Sequence, residues 1–323
     1  MHVYTFGVKN TLNPMSMKKL SQKLRGEHPL QDLLDRGART VAQERRRVAE
    51  AGWGARLLAR QDPAGLWGGG LYTPKWTSTT YTLLLLRSFG LPAGNAQARA
   101  GCRLLLDHGV YRDGGINFWT AYRCTRSETC VTGMVLSLAA YFLPGDQRVE
   151  VLADHLLRQQ MKDGGANCQT YRGATHGSFH TTIMVLEGLR EYEKLGAKLA
   201  GEARDAQRRA REFLLVHRLF RSHRTGEVVK PAMTRFAFPP RWHYDILRAL
   251  DYFQECRAGH DERLQEAIGM VAQRRRTDGR WLLQNRYPGR TYFELETPGQ
   301  PSRWNTLRAL RVLRWWEAPG SPV

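Results

Sequence analysis

A glycine-centred loop recurs five times in this 323-residue chain, and such a recurrence restricts the fold to a stack of similar units. The loops are Gln61-Asp-Pro-Ala-Gly65-Leu-Trp67, Arg112-Asp-Gly-Gly115, Gln160-Met-Lys-Asp-Gly164, Arg224-Thr-Gly226 and Arg275-Arg-Thr-Asp-Gly279-Arg-Trp281. Their key glycines, at 65, 114, 164, 226 and 279, lie 49, 50, 62 and 53 residues apart. Segments charged on one face precede the loops, Asp205–His217 and Asp261–Arg275 most clearly, and suit an outer layer. More apolar segments follow them: Trp76–Phe89, Glu128–Phe142, Phe179–Tyr192, Trp242–Phe253 and Trp304–Trp316. These suit an inner layer. Leu30, Leu33, Leu34, Ala38, Val41 and Val48 add helical spacing ahead of the first loop. The expectation is an all-α array of five hairpins, or six with that first helix, each burying its neighbour. No strand-like alternation competes with it.

Residues 1–28 are polar, basic and aperiodic and read as an arm, 29–318 as one domain, and 319–323 as a tail. Hydrophobic residues make up 42% and aromatics 10%, ample for a core, and nine tryptophans suggest an aromatic-lined one. Net charge is +19 (49 Lys and Arg against 30 Asp and Glu), a field that attracts polyanions such as nucleic acid, anionic membrane surfaces or diphosphates. The arginine runs 45–47, 208–209 and 274–276 are spread over separate helices and mixed with acids, so a solvated basic surface is the competing reading. Five cysteines without a Cys-x-x-Cys pair, and no apolar leader run, point to reduced thiols in the cytoplasm. No apolar run approaches the ~20 residues a membrane span needs.

Aligning Val135-Leu136 with Val185-Leu186 shifts the chain by 50 residues and lays Cys130 on His180. A thiol and an imidazole then open two equivalent inner helices, with Glu128 just ahead of the thiol. Carboxylate, thiolate and imidazole are good zinc ligands, so Glu128, Cys130 and His180 form the candidate catalytic and metal centre. Residues two apart on a helix point away from each other, so Glu128 must precede the first turn to share a metal with Cys130. The bland alternative is a buried thiol and a hydrogen-bonded core histidine. His243 and Asp245 open the fourth inner helix as a second acid–base candidate, or as cap and packing. Cys168 and His176 lie in the loop before His180 and could form a local site with it. Arg123, Arg126, Arg172, Arg241 and Arg303 stand near inner-helix starts, where guanidinium groups and helix N-termini together bind phosphate or diphosphate. Trp67, Trp76, Trp119, Trp242 and Trp304 are candidate cavity walls for an isoprenoid or a carbocation.

The loops resemble the Gln-x-x-x-Gly-x-Trp repeat of squalene and terpene cyclases, in full at Gln61…Gly65…Trp67 and in part at Gln160…Gly164 and Gly279…Trp281. That resemblance, from about Gly52 to Trp316, extends to the superfamily of terpene cyclases and protein prenyltransferase β-subunits. It implies a closed α/α toroid with inner helices around a central cavity. The chain contains no Asp-Asp dipeptide, so it lacks both the Asp-x-Asp-Asp acid of class II cyclases and the Asp-Asp-x-x-Asp box of class I synthases. Glu128-Thr-Cys130 resembles the Asp-x-Cys zinc pair of the prenyltransferase β-subunit, with Glu for Asp, and Phe179-His180-Thr181 resembles its Tyr-His-Thr ligand. Arg123 and Arg126 stand where that family binds diphosphate. The resemblance implies an isoprenoid-processing enzyme, zinc-dependent at Cys130, His180 and Glu128. Two alternatives stand beside it: a zinc-dependent peptide-modifying enzyme similar to lanthionine cyclases, and a non-catalytic basic toroid that binds nucleic acid or another polyanion.

Overall fold

The computed structural model describes residues 38–119 and 124–318. The expected arm at 1–28, the tail at 319–323 and Arg123 lie outside the described residues.

The described chain is mostly helical: α1 (Ala38–Glu50), α2 (Gly52–Leu58), α3 (Thr79–Ser88), α4 (Ala96–Gly109), α5 (Thr129–Phe142), α6 (Arg148–Arg158), α7 (Phe179–Glu193), α8 (Ala200–Val216), α9 (Ile246–Glu255), α10 (Gln265–Gln273) and α11 (Arg303–Glu317). One short antiparallel pair joins β1 (Trp281–Leu282) to β2 (Pro301–Ser302). Helices α3, α5, α7, α9 and α11 are buried on most sides, as their apolar runs require. In α8 only a stripe is buried, Ala203, Ala206, Gln207, Ala210 and Phe213 to Leu215, while Arg204 and Arg208 face water.

The recurring loop has a recurring physical cause. Gly65, Gly114, Gly164, Gly226 and Gly279 all have φ between +72° and +87°, a region open to glycine at little cost. In four units a threonine in the first turn of the inner helix accepts a loop N–H at 2.9–3.0 Å: Thr79 from Trp67, Thr132 from Ile116, Thr182 from Ala166 and Thr306 from Trp281. The glutamine of the motif clips its loop to the next outer helix. Gln61 Nε2 donates to Gly65 O and Gln97 O, and Gln160 Nε2 to Gly164 O and Ala206 O. The indoles of Trp67 and Trp281 donate at 2.7 Å to Leu57 O and Val271 O, on the helix before each loop.

Helices α5 and α7 meet through two glycines. A Cβ on Gly133 would stand 2.7 Å from Met184 O, and one on Gly188 2.6 Å from Gly133 O. The last unit touches the first. Trp53 and Trp304 have ring centroids 5.4 Å apart, Trp76 N–H donates to Arg290 O at 2.8 Å, and Tyr292 Oη donates to Thr77 O at 3.0 Å.

Several boundaries differ from the sequence expectation, the first inner helix beginning at Thr79 rather than Trp76 and α8 at Ala200 rather than Asp205. The fourth inner helix begins at Ile246 rather than at Trp242, because Tyr244 N–H is taken by His180 Nδ1 and Asp245 caps the helix through Arg248 N–H. The segment 261–275 opens with a 3₁₀ turn, Glu262–Leu264, before α10. Among the described residues no helix is long and apolar enough to cross a membrane.

Candidate functional site

The N-terminal ends of α5 and α7 carry the thiol and imidazole expected there, and the two face different partners. Glu128 is the N-cap residue of α5 and so precedes its first turn, as joint use with Cys130 demands. Its carboxylate, however, accepts the Trp119 indole N–H at 2.8 Å. Cys130 donates its thiol to Cys168; that bond first, then burial, holds the Cys130 thiol well above its usual value. Cys168 is lowered to about 6 by the same hydrogen bond, against the pull of burial and with help from Thr181, whose Oγ1 lies 3.1 Å away. All described cysteines are free.

His180 opens α7 and turns toward the fourth unit. Its Nδ1 accepts Tyr244 N–H at 2.9 Å, which places the ring proton on Nε2. Burial lowers its pKa to about 4. His243 is lowered to about 3, by burial first and then by His180 and nearby cations. Its ring lies between Trp242, at 3.7 Å, and Tyr287, at 3.5 Å and 7°. Both histidines are therefore neutral at physiological pH. Asp245 does not join His243: its carboxylate is buried as the α9 cap, with Oδ2 unbonded and its pKa raised by burial.

Among the described residues no three His, Cys, Asp or Glu side chains gather into a group able to hold a metal ion. Glu128, Cys130 and His180 do not fit a shared zinc in this arrangement. The carboxylate is held by an indole, the thiol by a second thiol, and the imidazole by a backbone amide of another unit. No step follows through a metal.

A cavity of about 540 Å³ lies among the C-terminal halves of α3 and α7, along α9, and at the first half of α11. Leu84, Leu85, Phe89, Phe238, Trp304 and Leu307 give it apolar walls. Its charges are mostly paired. Arg248 holds Glu187 through two 2.7 Å bonds, Arg308 holds Asp251 at 3.2 Å, and Arg87 holds Glu191 at 3.1 Å. Burial works to raise Glu187, and the charge and hydrogen bonds of Arg248 outweigh it, so its carboxyl lies below the ordinary range. Asp251, on α9, is pushed upward by burial; Glu255, one turn on, is exposed. Asp251 Oδ1 is buried without a partner.

Arg241 differs. It lines the cavity with no carboxylate within ion-pair distance among the described residues. Its φ of +57° is one a side-chain-bearing residue adopts at a cost of about 1–2 kcal/mol. The guanidinium sits 5.3 Å from the Trp76 ring centroid, and burial lowers its pKa to about 10, so it remains a cation. Lys75 Nζ approaches the same ring at 6.0 Å, and the rings of Tyr72 and Trp242 at 5.0 and 5.8 Å.

Of the expected cavity residues, Arg241 and Trp304 line the cavity, and Trp76 and Trp242 stand beside Arg241 and His180. Trp119 packs edge-on against Tyr72. Arg126 and Arg172 lie outside the cavity lining, each 5.2 Å from the ring of exposed Tyr171, and Arg303 covers Trp53 and Trp304 from outside. The arginine runs largely brace loops and helices: Arg45 donates to Gly90 O and Tyr141, Arg209 to Gln160, Arg274 to Thr234 O. Sequence reasoning missed the paired charges of the cavity. Their signal is a charge inside an apolar run, Leu247-Arg-Ala-Leu250 and Leu307-Arg-Ala-Leu310, at equivalent places in two inner helices.

No family model matches this chain, and no curated protein does. Among solved structures, one of a protein from Actinoplanes is 19% identical over 85% of this chain and 88% of its own, with a TM-score of 0.43. A type II terpene cyclase, MstE from Scytonema, crystallised with geranylgeranyl dihydroxybenzoate, is 14% identical over 84% of this chain and 96% of its own, with a TM-score of 0.35. The same cyclase with its product merosterolic acid A is 13% identical, over 85% and 96%, with a TM-score of 0.34. At such identities and scores, the chemistry must be read from this chain's own residues.

Proposed function

We propose that the chain is a closed α/α toroid that processes an isoprenoid anion in the cavity between its inner helices. The observation that carries this reading is the cavity's composition: apolar walls around about 540 Å³, with Arg241 as the one lining cation sheltered from water that has no carboxylate partner among the described residues, Arg45 and Arg311 being exposed. That volume lies within the range of small-molecule sites, which take apolar bodies and orient them with few polar groups. Arg241, with Lys75 across Trp76, holds the anionic head. Leu84, Phe89, Phe238 and Trp304 take the hydrocarbon. Asp251, raised by burial and with one oxygen unpartnered, is the carboxyl group that the cavity offers. The contacts between the last and first units support closure, and the loop motifs support the isoprenoid class.

Titration of the full chain with farnesyl diphosphate, inorganic diphosphate and farnesol, read by tryptophan fluorescence, tests this. Farnesyl diphosphate binds more tightly than either fragment. Arg241→Ala weakens it about tenfold or more, as losing a charge-assisted contact does. Absence of binding to prenyl diphosphates of 10, 15 and 20 carbons overturns the reading. Salt-steep binding of DNA in their place would identify a polyanion-binding toroid instead.

A further inference from the structure

A second groove, of about 520 Å³, opens beside the N-terminal end of α7 and shares no lining residue with the central cavity. Its walls come from residues 177–180, from His217 at the C-terminal end of α8, and from the segment 222–233. Phe220 to Val229 double back as a hairpin that carries His223 over His217. Val229 N–H donates to Phe220 O at 2.9 Å, and Ser222 N–H to Glu227 O at 2.8 Å. The two imidazole rings stand 4.8 Å apart at 84°, with His217 Nε2 and His223 Nδ1 separated by 3.0 Å. His217 is fixed on its other side. Its Nδ1 donates to Phe213 O at 2.7 Å, and its ring packs against Phe213 and Phe179 at 4.6 and 5.3 Å. A carbonyl only accepts, so Nδ1 carries the proton and the neutral ring turns its Nε2 lone pair toward His223.

An imidazole whose far N–H is held by a backbone carbonyl is the usual arrangement of a metal-ligating histidine. Two nitrogens bound at about 2.0–2.1 Å to one ion, in neighbouring positions, stand about 2.9–3.4 Å apart. The observed 3.0 Å falls in that range. The surroundings favour a cation as well: the C-terminal end of the 17-residue helix α8, and the Glu227 carboxylate in the same groove. Arg224 turns its guanidinium to His176 Nε2 at 3.4 Å, and exposed Lys230 is screened by solvent.

We propose that His217 and His223 are the protein ligands of a divalent transition ion of the kind that imidazole suits, such as zinc or copper. On binding, the His223 ring moves its proton from Nδ1 to Nε2, and the ion takes the place of the hydrogen bond between the rings. No third His, Cys, Asp or Glu side chain joins them among the described residues, so the remaining positions fall to water and open into the groove. The site is separate from the zinc centre expected at Glu128, Cys130 and His180, and it does not depend on what the central cavity binds.

Zinc alone is the probe, added to the metal-stripped full chain with isotope-labelled histidines at neutral pH. Imidazole nitrogen NMR reads the ligating atoms, and calorimetry reads the affinity. Zinc shifts His217 Nε2 and His223 Nδ1 and leaves His180 Nδ1, held by Tyr244 N–H, in place. His223→Ala changes an exposed hairpin residue, keeps the circular dichroism of the wild type, and weakens zinc about tenfold or more. Cys130→Ala leaves the affinity unchanged. Binding that survives in His223→Ala, or that is lost in Cys130→Ala, overturns the proposal, as does a chain that takes up no zinc.

Discussion

The two ends of the inner helices carry opposite chemistry. At the N-terminal ends stand a dithiol, two neutral histidines and an indole-held carboxylate, with few ion pairs among them. Toward the C-terminal ends stand arginines and carboxylates joined from helix to helix, Glu187 to Arg248, Asp251 to Arg308 and Glu191 to Arg87. The backbone explains part of the contrast. Free N–H groups favour a sulfur anion at one end, and free carbonyls favour Arg87 and Arg190 in the last turns at the other. Pairing explains the rest. A half-buried charge beside a low-dielectric wall persists when a partner holds it, so the cavity's charges fix the helices in place. Groups at the N-terminal ends are neutral or singly placed.

Several substitutions would break or sharpen this contrast. Arg248→Ala strips Glu187 of its partner and frees the carbonyls of Arg241 and His243, so unfolding in urea should show a loss of about 3–5 kcal/mol. A loss below about 1 kcal/mol would mean that the cavity pairs do not fix the helices. Gly188→Ala forces a Cβ into Gly133 O and should lower stability by about 1–3 kcal/mol by the same measurement, with the ligand cavity otherwise unchanged. Removing one loop clip is milder. Gln160→Ala and Gln61→Ala should each cost about 1–2 kcal/mol, and equal losses would mark the two loops as equivalent.

The smallest effect separates the ends by pH. His180 has a folded pKa of about 4 against an ordinary 6.5, so the unfolded chain takes up its proton first. Its stabilising contribution is complete above pH 6.5 and is lost as pH falls toward 4. His180→Gln should flatten the decline of the urea midpoint across that window. An unchanged slope would show that the ring is open to solvent. The cavity carboxylate Glu187, held below its usual range, contributes in full at neutral pH and loses that contribution only as pH falls below the ordinary carboxylate range.

The helical repeat was legible because its cause is local. Each key glycine sits in a left-handed turn that favours glycine, and each apolar run after it needs burial on most sides. The shift that lays Cys130 on His180 is also real at the level of elements, since both residues occupy the second position of an inner helix. Which partner each side chain meets was not local. Cys130 finds Cys168 from the following loop, His180 finds an amide 64 residues on, and the expected zinc ligands are thereby separated. Arg126 and Arg241 look alike in sequence, each near an inner-helix start, yet one lies against an exposed tyrosine and the other lines the cavity. Sequence periodicity determined the helices and their layers, because hydrophobic spacing and glycine φ act within a few residues. Only the tertiary structure decided the pairings, because they depend on how neighbouring helices are rotated and on loops whose length no local rule sets.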